Sequence, residues 1–138
     1  MTRNRLTGWR EALTATLTAE TSAAFAWGAH DCATLWRRAV IAMTGADPLA
    51  FVRPWTSERS ALVAVAAAGV DSVEMFIAQK FVEIQPEHAM TGDLVIADLP
   101  ATPLSSPAVV VNGEAMTRGP ESIIMIPARM WRRAFRVG

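Results

Sequence analysis

Hydrophobic residues recur with helical spacing over about the first 80 residues and alternate with polar residues after position 84. The spacing predicts four helices, over about 8–20, 32–44, 57–68 and 71–79. The residues expected to cap or open them are Thr7, Asp31, Thr56 and Asp71. The third helix is nearly all alanine and valine, so we expect it to be well buried.

The last part of the chain reads as strands, over 93–97, 108–111, 114–117 and 122–126. Asn112-Gly113 is a strong signal for a two-residue hairpin between the second and third of these. We expect one helical turn over 127–133 and a closing edge strand over 134–137. The chain is therefore predicted to be one α+β domain, residues 1–138, with a helical half over about 7–80 and an antiparallel sheet half over about 81–138.

Composition narrows the class of protein. The 138 residues are 51% hydrophobic and 19% charged, which excludes a disordered chain. The formal net charge is zero, which argues against a nucleic-acid partner bound through phosphates. Arginines crowd both ends, and we expect them to be solvated or to contact a neighbouring subunit. The two groups are Arg3, Arg5 and Arg10, and Arg129, Arg132, Arg133 and Arg136.

No apolar run is long enough to span a bilayer, and the polar start of the chain has no signal-peptide core. We therefore expect synthesis and folding in the cytoplasm. In the proline-punctuated loop over 46–55, Phe51 and Trp55 should pack over the domain. No metal-ligand spacing and no phosphate-binding loop is present, so the sequence predicts no metal and no cofactor.

Candidate chemistry centres on residues 25–36, which contain the single cysteine, Cys32, and one of two histidines, His30. If Asp31 caps the second helix, Cys32 opens it. The helix dipole and the unpaired N–H groups there favour the thiolate. The alternative is a buried cysteine that acts as a small hydrophobe.

The pattern Trp27-Gly-x-x-Asp31-Cys32, followed about sixty residues later by Gly92-Asp-Leu-Val-Ile96, resembles the NlpC-type cell-wall peptidases. This resemblance implies a papain-like fold in which a cysteine-bearing helix packs on an antiparallel sheet of about five strands. It also implies that Cys32 is the nucleophile. The whole chain, including its final Trp131–Val137 segment, looks most like a small domain family encoded in phage and prophage tail-gene clusters.

The sequence lacks a histidine at the position where the NlpC-type peptidases have their catalytic base. The NlpC-type base is a histidine that begins the strand after the Gly-Asp strand, and Pro107 or Ala108 falls there. The third polar residue of the family would correspond to a position near Thr117. Of the two histidines, His88 is expected in an exposed loop too far from the thiol. His30 is the candidate substitute base, although a role in fixing the loop is the alternative.

Two functions follow from the resemblance. The first is a tail-tip or tail-assembly protein with an NlpC-like fold and an incomplete cysteine peptidase site. Its partners would be other tail or baseplate proteins, and it would leave the host cytoplasm in the virion tail. The second is an active peptidoglycan hydrolase, an endopeptidase or amidase, that uses Cys32 with His30 as a non-standard base. Only the second requires peptidoglycan as a substrate.

Overall fold

The computed structural model describes residues 4–98 and 105–138, which form four helices followed by a six-stranded antiparallel sheet. The helices are α1 Trp9–Ser22, α2 Cys32–Thr44, α3 Glu58–Ala67 and α4 Val73–Lys80. The strands are β1 Val82–Ile84, β2 Leu94–Ala97, β3 Ala108–Val111, β4 Glu114–Arg118, β5 Ile123–Pro127 and β6 Trp131–Arg136. The predicted α+β class is confirmed, with helices first and an antiparallel sheet after them.

The last strand does not lie where we expected it. The sheet order is β1-β6-β2-β3-β4-β5, so β6 is an inner strand and the predicted closing edge is wrong. It pairs Phe135 with Leu94 of β2 and with Glu83 of β1. The predicted helical turn over 127–133 is limited to the 3-10 turn Ala128–Met130. Fully buried Ala134 and Phe135 explain the placement, because an inner strand can bury both of its faces.

Alternation along the strands divides the sheet residues between two cores. Ile96, Val109 and Phe135 belong to the core that includes the helices. Val95 and Ala108 belong to a second core on the other face. Successive side chains of a strand point to opposite faces, so Val109 and Ala108 cannot both face the helices. This parity decides which residues of β3 can approach Cys32.

The helix starts differ from prediction in three of four cases. Asp31 caps α2 as expected, and Gly45, with φ of 78°, ends it. α3 is capped by Ser57 rather than Thr56, and α4 by Ser72 rather than Asp71. α1 follows Gly8 without any side-chain cap, so Thr7 does not cap it.

α3 is not well buried, although its alanines and valines suggested that it would be. Ala64 is its one buried residue, while Leu62 and Val63 are 47% and 46% exposed. A helix that is apolar on every side can still lie at the surface when only one line of residues has a partner. α3 therefore contacts the interior of the protein mainly through the side of the helix that carries Ala64.

A buried ion pair joins the two ends of the chain to the sheet. Arg5 Nη2 lies 2.9 Å from Asp93 Oδ1, and both side chains are almost fully buried. Arg5 also donates to the carbonyls of Thr91 and Val137, at 2.8 and 3.0 Å. The expectation of a solvated or intersubunit role is thus wrong for Arg5, while Arg3 lies outside the described residues.

Two of the C-terminal arginines pair with carboxylates of the same chain. Arg132 contacts Glu74 at 2.7 Å and Asp98 at 3.0 Å. Arg133 contacts Glu74 at 2.8 Å and Glu83 at 2.7 Å. Hydrogen bonds from Arg132 and Arg133, with their positive charge, lower the pKa of Glu74 from 4.5 to about 2. The cluster therefore fastens α4 to β1 and β6.

We predict that Glu74→Gln lowers the free energy of unfolding at pH 7 by about 1 kcal/mol, a modest value because the arginines are partly exposed. A depressed carboxylate pKa stabilises the fold above the ordinary pKa and loses that effect as pH falls through the folded value. The difference between the two proteins should therefore shrink between about pH 4.5 and 2. Urea unfolding across this range measures it.

Glu121→Gln is the matched control, because Glu121 is exposed and has no ion pair within the described ranges. A Glu74→Gln effect that persists unchanged at pH 2 would contradict the proposed role of the ion pairs.

Candidate functional site

Asp31 organises the entry to the cysteine helix. Its Oδ1 accepts a hydrogen bond from the Thr34 N–H at 2.8 Å. Its Oδ2 accepts from the Gly28 N–H and from Trp55 Nε1, both at 2.7 Å. Thr34 completes a capping box, since its Oγ1 accepts from the Asp31 N–H at 2.8 Å. The start of α2, and thus Cys32, is held by one buried carboxylate.

Gly28 has a steric reason to be glycine. Its φ is +77°, and a Cβ built on it would overlap the carbonyl oxygen of Trp55. The chain before Asp31 therefore lies directly against the backbone of the 46–55 loop. This approach lets the Trp55 indole reach Asp31, and Trp55 is buried as expected. Phe51 of the same loop is fully exposed, so the expectation that it packs over the domain is wrong.

Cys32 is the first residue of α2 and is only 7% exposed. Burial raises the pKa of its thiol, and the negative charge of Asp31 raises it further. Hydrogen bonding from Ser106 and from the backbone N–H groups of Cys32 and Ala33 lowers the pKa by less. The expected effect of the helix start is present, but desolvation outweighs it. The sequence prediction of a favoured thiolate is therefore wrong in direction.

Ser106 is the polar side chain placed beside the thiol. Its Oγ accepts a hydrogen bond from Trp36 Nε1 at 3.2 Å, and Ser106 and Cys32 line the same cavity. Ser106 is 3% exposed and immediately precedes Pro107. The resemblance placed the family's histidine at Pro107 or Ala108, one or two positions after Ser106.

Ala108 belongs to the core on the sheet face away from the helices. A side chain there cannot approach Cys32. Thr117 shares that face with Ala115 because they are two residues apart on β4. The Thr117 hydroxyl is buried and has no hydrogen-bond partner in the described part of the chain. Thr117 is therefore not positioned to orient a base beside the thiol.

His30 belongs to a different cluster. Its Nδ1 lies 3.3 Å from Glu20 Oε1 and 3.3 Å from Arg38 Nη1. Glu20 is almost fully buried and is also bound by Arg38 at 2.7 Å. Arg118 donates to the Glu20 and Ala23 carbonyls at 2.9 and 2.5 Å. His30 thus fixes the end of α1 against the entry loop, and it is not among the residues that line the space beside Cys32.

The second histidine, His88, does not line the cavity beside Cys32 either. His88 ends the 3-10 turn Pro86–His88 and is exposed, as the sequence predicted. Neither histidine has a hydrogen bond to Cys32 among the contacts of residues 4–98 and 105–138. The polar groups beside the Cys32 thiol therefore include the Ser106 hydroxyl but, within the described residues, no imidazole.

A cavity of about 330 Å³ adjoins this pair. Its polar side chains are Asp31, Cys32, Ser106 and, on α3, Glu58. The remaining lining is aromatic and aliphatic and comes from α2, α3, α4, the segment before α2, the turn between α3 and α4, and the 46–55 loop. It comprises Trp27, Ala33, Trp36, Leu49, Val52, Trp55, Ala61, Leu62, Ala64, Val65, Ala68, Val70, Val73 and Phe76.

The fold and this site define an α+β protein with a cysteine at the start of a helix packed on an antiparallel sheet. The chain belongs to the family described as Domain of unknown function (DUF6950), whose model matches residues 4–137. No curated protein matches the chain. Within the described ranges, no group of three or more histidine, cysteine, aspartate and glutamate side chains could hold a metal ion. No helix described there has both the length and the apolar character needed to cross a membrane.

We predict that iodoacetamide alkylates Cys32 more slowly at pH 7–8 than it alkylates a cysteine in an unfolded peptide. The raised pKa reduces the thiolate fraction at every pH below it, and burial limits access. The rate should increase when the protein is unfolded in urea. Mass spectrometry of quenched samples measures it.

Ser106→His should accelerate alkylation at pH 7, because it places an imidazole beside the thiol. Ala108→His is the matched control, since its side chain would enter the opposite core. Circular dichroism first establishes that both variants are folded. Equal acceleration in two folded variants, or a wild-type rate as fast as the peptide's, would contradict the assigned geometry.

Proposed function

We propose that the chain is a structural or adaptor subunit of a phage or prophage tail, with an NlpC-like, papain-like fold and an incomplete cysteine peptidase site. One observation carries the incomplete-site part of this proposal: Ser106 lines the same cavity as Cys32, and neither His30 nor His88 lines it. The order of elements supports the NlpC-like fold, because the cysteine helix precedes the Gly92-Asp93 strand and the sheet follows.

The chemistry explains why a serine cannot complete the site. Peptide cleavage by a thiol needs a group that accepts its proton and returns one to the leaving amine. A serine hydroxyl does neither near neutral pH. Such general acid–base help is typically worth about 10²–10⁴-fold. Burial also raises the pKa of the Cys32 thiol, so less thiolate is present near neutral pH. In this proposal the site therefore has neither a general acid–base group nor an activated nucleophile.

The tail assignment is supported by the resemblance of the whole chain to tail-cluster domains, including its Trp131–Val137 segment. In this proposal, the partners are other tail or baseplate proteins. Since β6 is an inner strand, that segment contributes to the fold itself. Its arginines Arg132 and Arg133 are also paired within the chain. Any partner contact through them has to share these carboxylates or displace them.

We predict that the purified protein releases no peptide fragments or amino groups from purified cell walls at pH 6–8. Cys32→Ser should be indistinguishable from wild type in this assay. Chromatography of the soluble products, with an active peptidoglycan endopeptidase as positive control, measures it. Cleavage by the wild type that is lost in Cys32→Ser would overturn the incomplete site, and His30→Ala would then test the remaining imidazole.

The tail role makes a separate prediction. In a phage that encodes the chain, Cys32→Ser should leave plaque formation and tail assembly unchanged, because the thiol serves no reaction. Deletion of the gene should abolish tail assembly or infectivity. Electron microscopy of the particles and detection of the chain in purified tails measure both. Normal, infectious tails that lack the chain would contradict the structural role.

A further inference from the structure

We propose that the cavity beside Cys32 binds a small, uncharged, predominantly apolar molecule whose one polar group meets Cys32 and Ser106. This binding site does not depend on whether the thiol is catalytic, so it stands apart from the proposed tail function. Three features support such a ligand: the size of the cavity, its mostly apolar lining, and the hydrogen-bonding groups of Cys32 and Ser106.

The cavity has the size of a ligand site rather than of a packing defect. At about 330 Å³ it is roughly twice the engineered cavity of about 150 Å³ that stays dry and binds benzene. It lies within the range of about 300–1,000 Å³ found for small-molecule pockets. Three of the chain's five tryptophans line it, with Phe76 and several aliphatic side chains. Water gains few hydrogen bonds in such a lining, so an apolar body fits it better.

The polar groups select an uncharged ligand. Each Asp31 oxygen already accepts from neighbouring N–H groups, and Glu58 lies at the exposed start of α3. The buried polar groups left to meet a ligand are the Cys32 thiol and the Ser106 hydroxyl, whose Oγ also accepts from Trp36. Both can hydrogen-bond an alcohol, an ester or an amide. A carboxylate would face the negative charge of Asp31, and among the described residues no lysine or arginine lines the cavity to offset it. An ammonium group would lose its hydration, while the charge of Asp31 is already shared among three donors. The other lining carboxylate, Glu58, is exposed, so water weakens its attraction for a cation.

α3 provides the entrance. Leu62 lines the cavity and is 47% exposed, and Glu58 lies at the exposed start of the same helix. Only Ala64 of this helix is buried. A ligand can therefore enter beside α3 without opening the main core between the helices and the sheet.

Ala64 offers the sharpest test, because its methyl group is buried at the cavity wall. Ala64→Leu should fill the cavity. Ala66→Leu is the matched control on the same helix, since Ala66 is exposed and does not line the cavity. The probes are 1-octanol, octanoate and octylammonium, each below its solubility limit. Tryptophan fluorescence titration and the shift in Tm report binding.

We expect 1-octanol to bind wild type and Ala66→Leu alike, and to bind Ala64→Leu at least tenfold more weakly. Octanoate and octylammonium should bind wild type at least tenfold more weakly than the alcohol. Octanol should also slow alkylation of Cys32 in wild type, which locates the bound molecule. If Ala64→Leu does not fold, Ala61→Met replaces it as the filling variant.

Unchanged octanol affinity in a folded filling variant would overturn the site, as would no binding to wild type. Equal or tighter binding of either charged probe would overturn the claim that the ligand is uncharged. The cell-wall assay is independent of these results. Wall cleavage with octanol binding would refute the incomplete peptidase and leave the cavity assignment in place.

Discussion

The structure around the thiol depends on the hydrogen bonds of one buried carboxylate. Asp31 joins the start of α2, the Gly28 turn and the Trp55 indole at 2.7–2.8 Å. A buried carboxylate is costly unless its oxygens are satisfied, so the three elements must approach together. That approach also places the aromatic loop opposite α2. The cavity is the space left between them and α3.

A second buried carboxylate, Asp93, holds separate segments of the chain together at the sheet. Asp93 binds Arg5 at 2.9 Å and accepts hydrogen bonds from the Val137 and Met90 N–H groups, both at 3.0 Å. It therefore couples the N-terminal segment, the start of β2 and the end of β6. The Asp-Cys and Gly-Asp motifs thus have structural roles independent of catalysis. Their presence alone is weak evidence for an active peptidase.

The sequence predicted what depends on local periodicity and turn chemistry. It located α2 to the residue and the Asn112-Gly113 hairpin, because caps, glycines and apolar spacing act over a few positions. It could not place β6 inside the sheet, because strand pairing across more than thirty residues leaves no local pattern. It also missed Arg5 as a buried partner, since an arginine near a polar N-terminus looks like any solvated charge. Ser106 was missed because it lies in the irregular segment before β3, where strand alternation does not fix the direction of a side chain.

The same burial accounts for both properties of the site. Burial raises the pKa of the Cys32 thiol and so lowers the thiolate fraction near neutral pH, and it also leaves an apolar surface that a ligand can contact. A peptidase resolves this conflict with an imidazole that stabilises the thiolate in a dry site. Here Ser106 lowers the pKa of the Cys32 thiol by less than burial raises it. This balance supports the proposed binding of an uncharged molecule over the cleavage of a peptide.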